Sequence, residues 1–250
     1  MTDLSAVILS NNSEKTILNA IKSVLFCDEI IIIDDNSTDN TIRIIEQLNL
    51  AKIKIYSHIL NDDFSNQRNF GLQKASGNWI LFLDSDEVIS QQLANEIVHT
   101  IKIPKVNGYY LKRLDIFMDV KLKHGETGDI KLLRLAKKGF GIWEGKVHET
   151  WRITGQVGVL QNAILHYHNL TILQFLERLD KYSTLQANSL FEKKVKEPLC
   201  CHFVKPIAKF ILNYIVRLGF MDGYPGLVMA WLMSWHSLLV RIKLRLLNLK

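Results

Sequence analysis

Cysteine is scarce in this chain: three residues in 250, at positions 27, 200 and 201. The count is odd, two are adjacent, and no Cys-x-x-Cys spacing occurs, so neither a disulfide framework nor a cysteine metal site is indicated. Reduced thiols and a cytoplasmic setting are expected. No signal peptide is read at the start, because Asp3 stands where a basic residue would and the apolar run 4–9 suits a strand better than a secretory core. Glycine-rich phosphate loops are missing as well. Neither GxxxxGK(S/T) nor GxGxxG occurs, so a phosphorylated ligand must be neutralised by other groups. There is no internal repeat and no low-complexity segment. With 48% hydrophobic and 22% charged residues, the chain is neither disordered nor collagen-like, and its length suits one domain with an appendage.

Acidic residues are almost absent from the end of the chain. Residues 193–250 hold 10 Lys and Arg against 2 Asp and Glu, a net of +8, whereas residues 1–192 hold 21 against 23, a net of −2. The basic character therefore belongs to a tail. That tail is also apolar, which points to a membrane surface before nucleic acid. No RNA- or DNA-binding signature accompanies it, so no nucleic-acid partner is expected.

The first hundred residues alternate between two periods. Short apolar runs at 5–10, 29–33, 52–57 and 78–83 read as strands. Segments 14–26, 41–48 and 65–75 carry helical spacing, with Asp39 as an N-cap of the second and Gly77 ending the third. This order implies an α/β fold, a mostly parallel sheet with helices on both faces. Residues 105–168 look like an added β-rich half, and 171–194 return to a helical pattern.

In such a sheet ligands sit beyond the carboxyl ends of the strands, and acidic and amide groups gather there. Asn11 and Asn12 follow the first strand, Asp34 and Asp35 the second, and Asp84, Asp86 and Glu87 the fourth. Asp84 and Asp86 bracket a small residue, a donor pair suited to Mg²⁺ or Mn²⁺, which share phosphate oxygens with a substrate. Capping of a following helix is the plainer role for the same pair. A carboxylate in the 34–39 loop can accept the N3–H of a uracil ring, or simply cap the next helix.

Four segments, SAVILSNN at 5–12, IDDNSTDNT at 33–41, NQRNFG at 66–71 and GNWILFLDSDE at 77–87, together resemble the family 2 glycosyltransferases, inverting enzymes of the Rossmann-like GT-A fold that use nucleotide sugars. The similarity covers roughly residues 3–190. Within the family, WEGKVHE at 143–149, HYH at 166–168 and the helix around 175–182 most resemble bacterial lipopolysaccharide inner-core glucosyltransferases. The resemblance implies donor contacts from Asn12, Asp34, Asp35, Arg68 and Asp84, with Asp35 at the uracil and Arg68 at the diphosphate. It implies a Mg²⁺ or Mn²⁺ site at Asp84 and Asp86, with His168 as a further ligand; of His166 and His168, only one is expected to face the site. The base that takes the acceptor proton falls on Glu149 or His148, with Glu149 favoured. Glu14 departs by one residue from the family's Asn-Glu pattern. Arg134 is left undecided between acceptor contact and strand surface, and Trp79 is read as core.

The implied function is transfer of a hexose, glucose by the narrower resemblance, from a UDP-sugar to a lipid-linked saccharide such as lipopolysaccharide core. A polyprenyl-phosphate acceptor, or a non-catalytic nucleotide-binding or nucleic-acid-binding protein, are the alternatives. The expected division is a GT-A domain over 1–197 and a membrane-associating tail over 198–250. In the tail, 206–221 carry an apolar stripe, 222–226 break the helix, and 223–240 hold 18 residues without charge, too interrupted by Gly, Pro, Ser and His to span a bilayer comfortably. Leucines interleaved with Arg241, Lys243 and Arg245 then suit an interfacial helix at the inner face of the cytoplasmic membrane. Packing on the domain, or a dimer contact, is the alternative for these helices.

Overall fold

The computed structural model describes residues 3–128, 130–145, 149–167 and 172–249. Two expected site residues, His148 and His168, lie outside the described residues. Strands β1 (Leu4–Ser10), β2 (Glu29–Asp34), β3 (Ile53–Ser57) and β4 (Trp79–Asp84) alternate with helices α1 (Ile17–Ser23), α2 (Thr41–Gln47) and α3 (Phe64–Lys74). The strands lie side by side as β3-β2-β1-β4, all parallel. Their unbroken apolar runs serve two cores at once. In β2, Ile30 and Ile32 enter one and Ile31 and Ile33 the other; in β4, Leu81 and Leu83 separate in the same way from Ile80 and Phe82. A strand covered on both faces requires this.

Next come β5 (Glu87–Ile89), α4 (Gln91–Lys102), β6 (Gly108–Phe117), β7 (Val120–Leu122), β8 (Ile130–Lys137), β9 (Gly141–Glu144), β10 (Thr150–Ile153) and β11 (Val157–Tyr167). The sheet continues β4-β8-β6-β11-β5, with β8 antiparallel to β4 and β6, and β5 antiparallel to β11. The β-rich half expected at 105–168 thus extends the parallel sheet with antiparallel strands, while β9 and β10 form a separate ribbon. The chain builds β2 and β3 on one side of β1 and returns with β4 on the other. The carboxyl ends of β1 and β4 therefore meet at a topological switch point, where ligands bind in such sheets.

Helix α3 sits tightly on this sheet. Its N-cap Asp63 accepts from the Asn66 amide at 2.9 Å, and Gly71 lies so close to β1 that a Cβ there would stand 2.6 Å from Val7 Cγ1. Gly71→Ala is expected to destabilise the protein by about 1–3 kcal/mol through overpacking, read as a lower midpoint of urea unfolding. An unchanged midpoint would show that the contact relaxes freely.

The chain forms two compact units, residues 1–114 with 130–167, and residues 115–129 with 168–250. The expected boundary after 197 lies elsewhere in this division, because α5 (Ile172–Glu192) belongs with the tail. Its Leu179 shares a small core with Phe117, Leu122, Met229 and Leu232. The tail helices are α6 (Cys201–Ile211) and α7 (Gly223–Leu249). The expected break at 222–226 falls earlier in the structure. Leu218 takes a left-handed φ of 57°, and a short 3₁₀ turn over 219–222 leads into α7. Pro225 fits the first turn of α7, where its missing N–H leaves no hydrogen bond unmade. The 3₁₀ turn and α7 together, Gly219–Leu249, are long and apolar enough, by length and composition, to cross a membrane.

Candidate active site

The loops after β1 and β2 are bonded into one rim. Asn12, at a left-handed φ of 46°, accepts from the Thr38 amide at 2.8 Å through Oδ1, and its own amide donates to Ser37 Oγ at 2.9 Å. Buried Asp34 accepts from the Ser37 amide at 2.8 Å and the Ser37 hydroxyl at 2.6 Å. The N-cap position of α2 falls on Asn40, not on the expected Asp39; Asp39, one residue earlier, accepts from the amides of Thr41 and Glu14, both at 3.0 Å, and so joins the two loops. Asn12 and Asp34 thus shape the rim. Asp35, half-buried, accepts from the Leu60 amide at 2.8 Å and is the carboxylate of this pair nearer solvent.

The NQRNFG segment lies on α3, and three of its four polar side chains reach three different structures. Gln67 donates to the His58 carbonyl at 3.0 Å. Asn69 exchanges two hydrogen bonds of 2.9 Å with the backbone of Trp143. Between them Arg68, only 3% exposed, donates through Nε to Glu149 Oε1 at 3.0 Å and through Nη2 to Asp84 Oδ1 at 2.9 Å. Its guanidinium carbon stands 4.8 Å from the centre of the Trp143 ring, a cation–π contact, and Trp143 stacks on Trp151 with centroids 5.3 Å apart. Nη1 of Arg68 is buried and has no hydrogen-bond partner among the described residues. Buried donors are rarely left this way, and an incoming ligand oxygen would satisfy it.

A second guanidinium completes the cluster. Arg134, from β8, donates through Nη2 to Asp84 Oδ2 at 2.5 Å and lies 3.6 Å from Glu87 Oε1. Glu87 is fully buried and accepts the Asp84 amide at 3.0 Å, fixing the turn that carries Ser85 and Asp86. Burial alone would raise the Asp84 carboxyl, but Arg134 and Arg68 hold it well below the usual carboxylate range. Burial wins at Glu87, whose carboxyl is pushed up despite Arg134.

Asp86 is less enclosed. Its side chain is 29% exposed and Oδ2 lies 3.4 Å from His166 Nε2. The expectation that only one of His166 and His168 faces the site had no basis in the strand pattern, since residues two apart share a face. His166 stands beside Asp86, and its register partner on β5 is Glu87. No three His, Cys, Asp or Glu side chains converge as a metal cage among the described residues. Both carboxylate oxygens of Asp84 are engaged by guanidinium groups, whereas Asp86 with His166 beside it offers a partial donor set. That is enough for a hard cation that keeps waters and completes its shell with phosphate oxygens.

Sequence reasoning brought Arg68, Asp84 and Glu149 to one region but left Arg134 undecided and gave Glu87 no role. Arg134 carried a signal, since a charge flanked by leucines within a strand is buried only when paired; Glu87, at the end of the acidic run 84–87, carried none.

The sequence profile of Glycosyl transferase family 2 matches residues 5–153. An uncharacterized glycosyltransferase of Rickettsia typhi is 26% identical over 264 residues, covering 100% of this chain and 89% of that protein. The lipopolysaccharide core biosynthesis glycosyltransferase LpsC of Rhizobium meliloti is 27% identical, covering 88% of this chain and 82% of its own length. Among solved structures, the mannosyltransferase PcManGT of Pyrobaculum calidifontis, in complex with GDP-Man and Mn²⁺, superimposes with a TM-score of 0.56 at 11% identity, covering 97% of this chain and 87% of that one. Staphylococcus aureus TarS 1–349 with UDP-GlcNAc gives 0.52 at 15% identity, covering 94% and 81%.

Proposed function

The chain belongs to glycosyl transferase family 2, and on that premise we propose that it moves a hexose, glucose in our reading, from a UDP-sugar to a lipid-linked saccharide of the lipopolysaccharide-core kind, with inversion at the anomeric carbon. The observation that carries the proposal is Arg68, buried on Trp143, bonded to Asp84 and Glu149, and holding an Nη1 that has no partner among the described residues. Glu149 accepts the proton of the acceptor hydroxyl as that oxygen attacks the anomeric carbon. The bond from that carbon to the diphosphate breaks, and its electron pair stays on the phosphate oxygen, where Arg68 donates to the growing charge. Asp35 accepts from the uracil ring, and the rim held by Asn12 and Asp34 keeps it in place. A divalent cation, Mg²⁺ or Mn²⁺, would be held by Asp86 with His166 beside it, with Asp84 and His168 as the further candidate ligands, and would neutralise diphosphate charge. The name of the Rhizobium relative supports the acceptor class.

A panel of nucleotide sugars tests this, with thermal shift and UDP release measured with and without Mn²⁺. UDP-glucose is expected to raise the melting temperature most, and absence of any UDP-sugar effect would overturn the reading. Asp86→Ala is expected to remove most transfer activity and to weaken UDP binding in Mn²⁺, with the fold intact by circular dichroism. Near-normal turnover of that variant, or full wild-type activity in excess chelator, would end the metal proposal.

The proposal also puts the protein at the inner face of the cytoplasmic membrane. In α6, Phe203, Ile207 and Ile211 are exposed at four-residue steps, and in α7 Tyr224, Leu227, Trp231, Trp235, Ile242, Leu246 and Leu249 recur at similar spacing, a stripe along each helix. The opposite side of α7 is occupied within its own unit. Ser234 donates to the Pro206 carbonyl at 2.8 Å, and Lys243 bonds Asp180 on the charged helix α5 at 2.6 Å. A spanning α7 would draw those charges into hydrocarbon, so an interfacial position is favoured.

A further inference from the structure

The segment 195–197, the start of α6 and the last turns of α7 enclose a cavity of about 210 Å³. Its walls carry three cations, Lys196, Arg241 and Arg245, and one carboxylate, Glu197. Glu197 is paired with two cations: Oε1 accepts from Lys205 at 2.6 Å, and Oε2 lies 3.6 Å from Arg241 Nε, an ion pair too long for a hydrogen bond, so Oε2 is buried without a hydrogen-bond partner among the described residues. Positive charge is therefore left over. His202, 8% exposed, also lines the cavity. Its Nδ1 lies 3.2 Å from the Leu199 carbonyl and donates to it, while Nε2 is buried without a partner, as is Nε of Arg241. Polar atoms buried in this way are costly to leave unmet.

From this geometry we infer that the cavity binds the phosphate headgroup of an anionic membrane lipid, an inference that rests on the membrane placement proposed above. Guanidinium groups present paired donors that match phosphate oxygens. The His202 Nε2 donates to a phosphate oxygen when the ring is protonated and accepts from a glycerol hydroxyl of the headgroup when it is neutral. A lipid rather than free phosphate is indicated by the neighbouring surface. Phe203 and Val204 follow His202 on α6, and Leu246 and Leu249 flank Arg245 on α7; all four are more than half exposed. An acyl chain leaving the headgroup would lie along these side chains, and a free phosphate would leave them in water.

The test uses the full-length protein and co-sedimentation with phosphatidylcholine vesicles, with and without phosphatidylglycerol. The pocket pair Lys196→Gln/Arg245→Gln is compared with Lys193→Gln/Lys194→Gln, which removes equal charge outside the cavity; UDP-sugar hydrolysis confirms that both are folded. Each pair loses the general attraction of basic residues for an anionic surface. The pocket pair is expected to lose on the order of tenfold more binding to the anionic vesicles, as a bidentate phosphate contact is lost as well. A second arm follows the His202 ring by NMR. Dihexanoyl phosphatidylglycerol below its micelle concentration should move those signals, at concentrations where inorganic phosphate does not. Equal losses in the two pairs would overturn the headgroup site, and an equal response to inorganic phosphate would overturn the lipid assignment. Wild-type protein that ignores both kinds of vesicle would instead overturn the membrane placement.

Discussion

Glu149→Gln is expected to lower kcat by ~10²–10⁴-fold, the scale on which a general base contributes, with UDP-sugar affinity little changed. The substitution is chosen because the structure makes it nearly isosteric in its contacts. The glutamine carbonyl can still accept from Arg68 Nε, as Glu149 Oε1 does at 3.0 Å, so the guanidinium should stay on Trp143 and the donor subsite should survive. What is lost is the ability to take a proton. Steady-state kinetics with a saccharide acceptor, alongside donor binding by calorimetry, separate the two effects. The partner experiment is His148→Ala, expected to be mild. If His148→Ala is the crippling change and Glu149→Gln the mild one, the base is the histidine.

The second large effect concerns stability. Arg134→Met should destabilise the protein by ~3–5 kcal/mol, the usual result of removing one member of a buried ion pair. Asp84 would keep only Arg68, and Glu87, fully buried 3.6 Å from Arg134, would lose that guanidinium. Adding Glu87→Gln to Arg134→Met should recover part of the loss, because the neutral amide still accepts the Asp84 N–H. Urea unfolding of the single and double variants measures this, and additive losses would refute the coupling. The pH dependence has a definite sign. The Asp84 carboxyl is lowered on folding, so its contribution is complete above the ordinary carboxylate pKa of about 4 and is lost as the pH falls through the folded-state value. In the Arg134→Met variant that acid-side loss should be smaller.

The parallel half of the fold was legible in sequence because its strands are buried on both faces. Unbroken runs such as 29–33 have no other soluble explanation between helical segments of the right length. The antiparallel half was legible only as β-rich, since pairing β8 beside β4 and β5 beside β11 depends on contacts far apart in the chain. At the site, the spacing of Asp84 and Asp86 and the family resemblance that pointed to Arg68 and Glu149 named the residues, but their mutual arrangement was hidden. Nothing local says that Arg68 bonds both Asp84 and Glu149, or that Asn12 and Asp34 spend their polar atoms on the rim. The tail misled in one respect. Glycine and proline at 223–226 read as a break, although a proline in a helix's first turn costs nothing and the real interruption sits at Leu218.

The aromatic pairs give each compact unit its own optical label. Trp143 and Trp151 are buried and stacked within 16° of parallel, so they should emit in the blue, resist aqueous quenchers and show exciton coupling in circular dichroism. Arg68 rests on that pair, and any ligand that pulls its guanidinium away should alter the signal directly. Trp231 and Trp235 are also stacked, within 8° of parallel, but are 57% and 40% exposed. Their emission should lie to the red, fall with iodide, and move to the blue on meeting lipid. The proposed nucleotide binding and membrane contact can therefore be tested in one unlabelled sample, the buried population including Trp79 and the exposed one formed by Trp231 and Trp235.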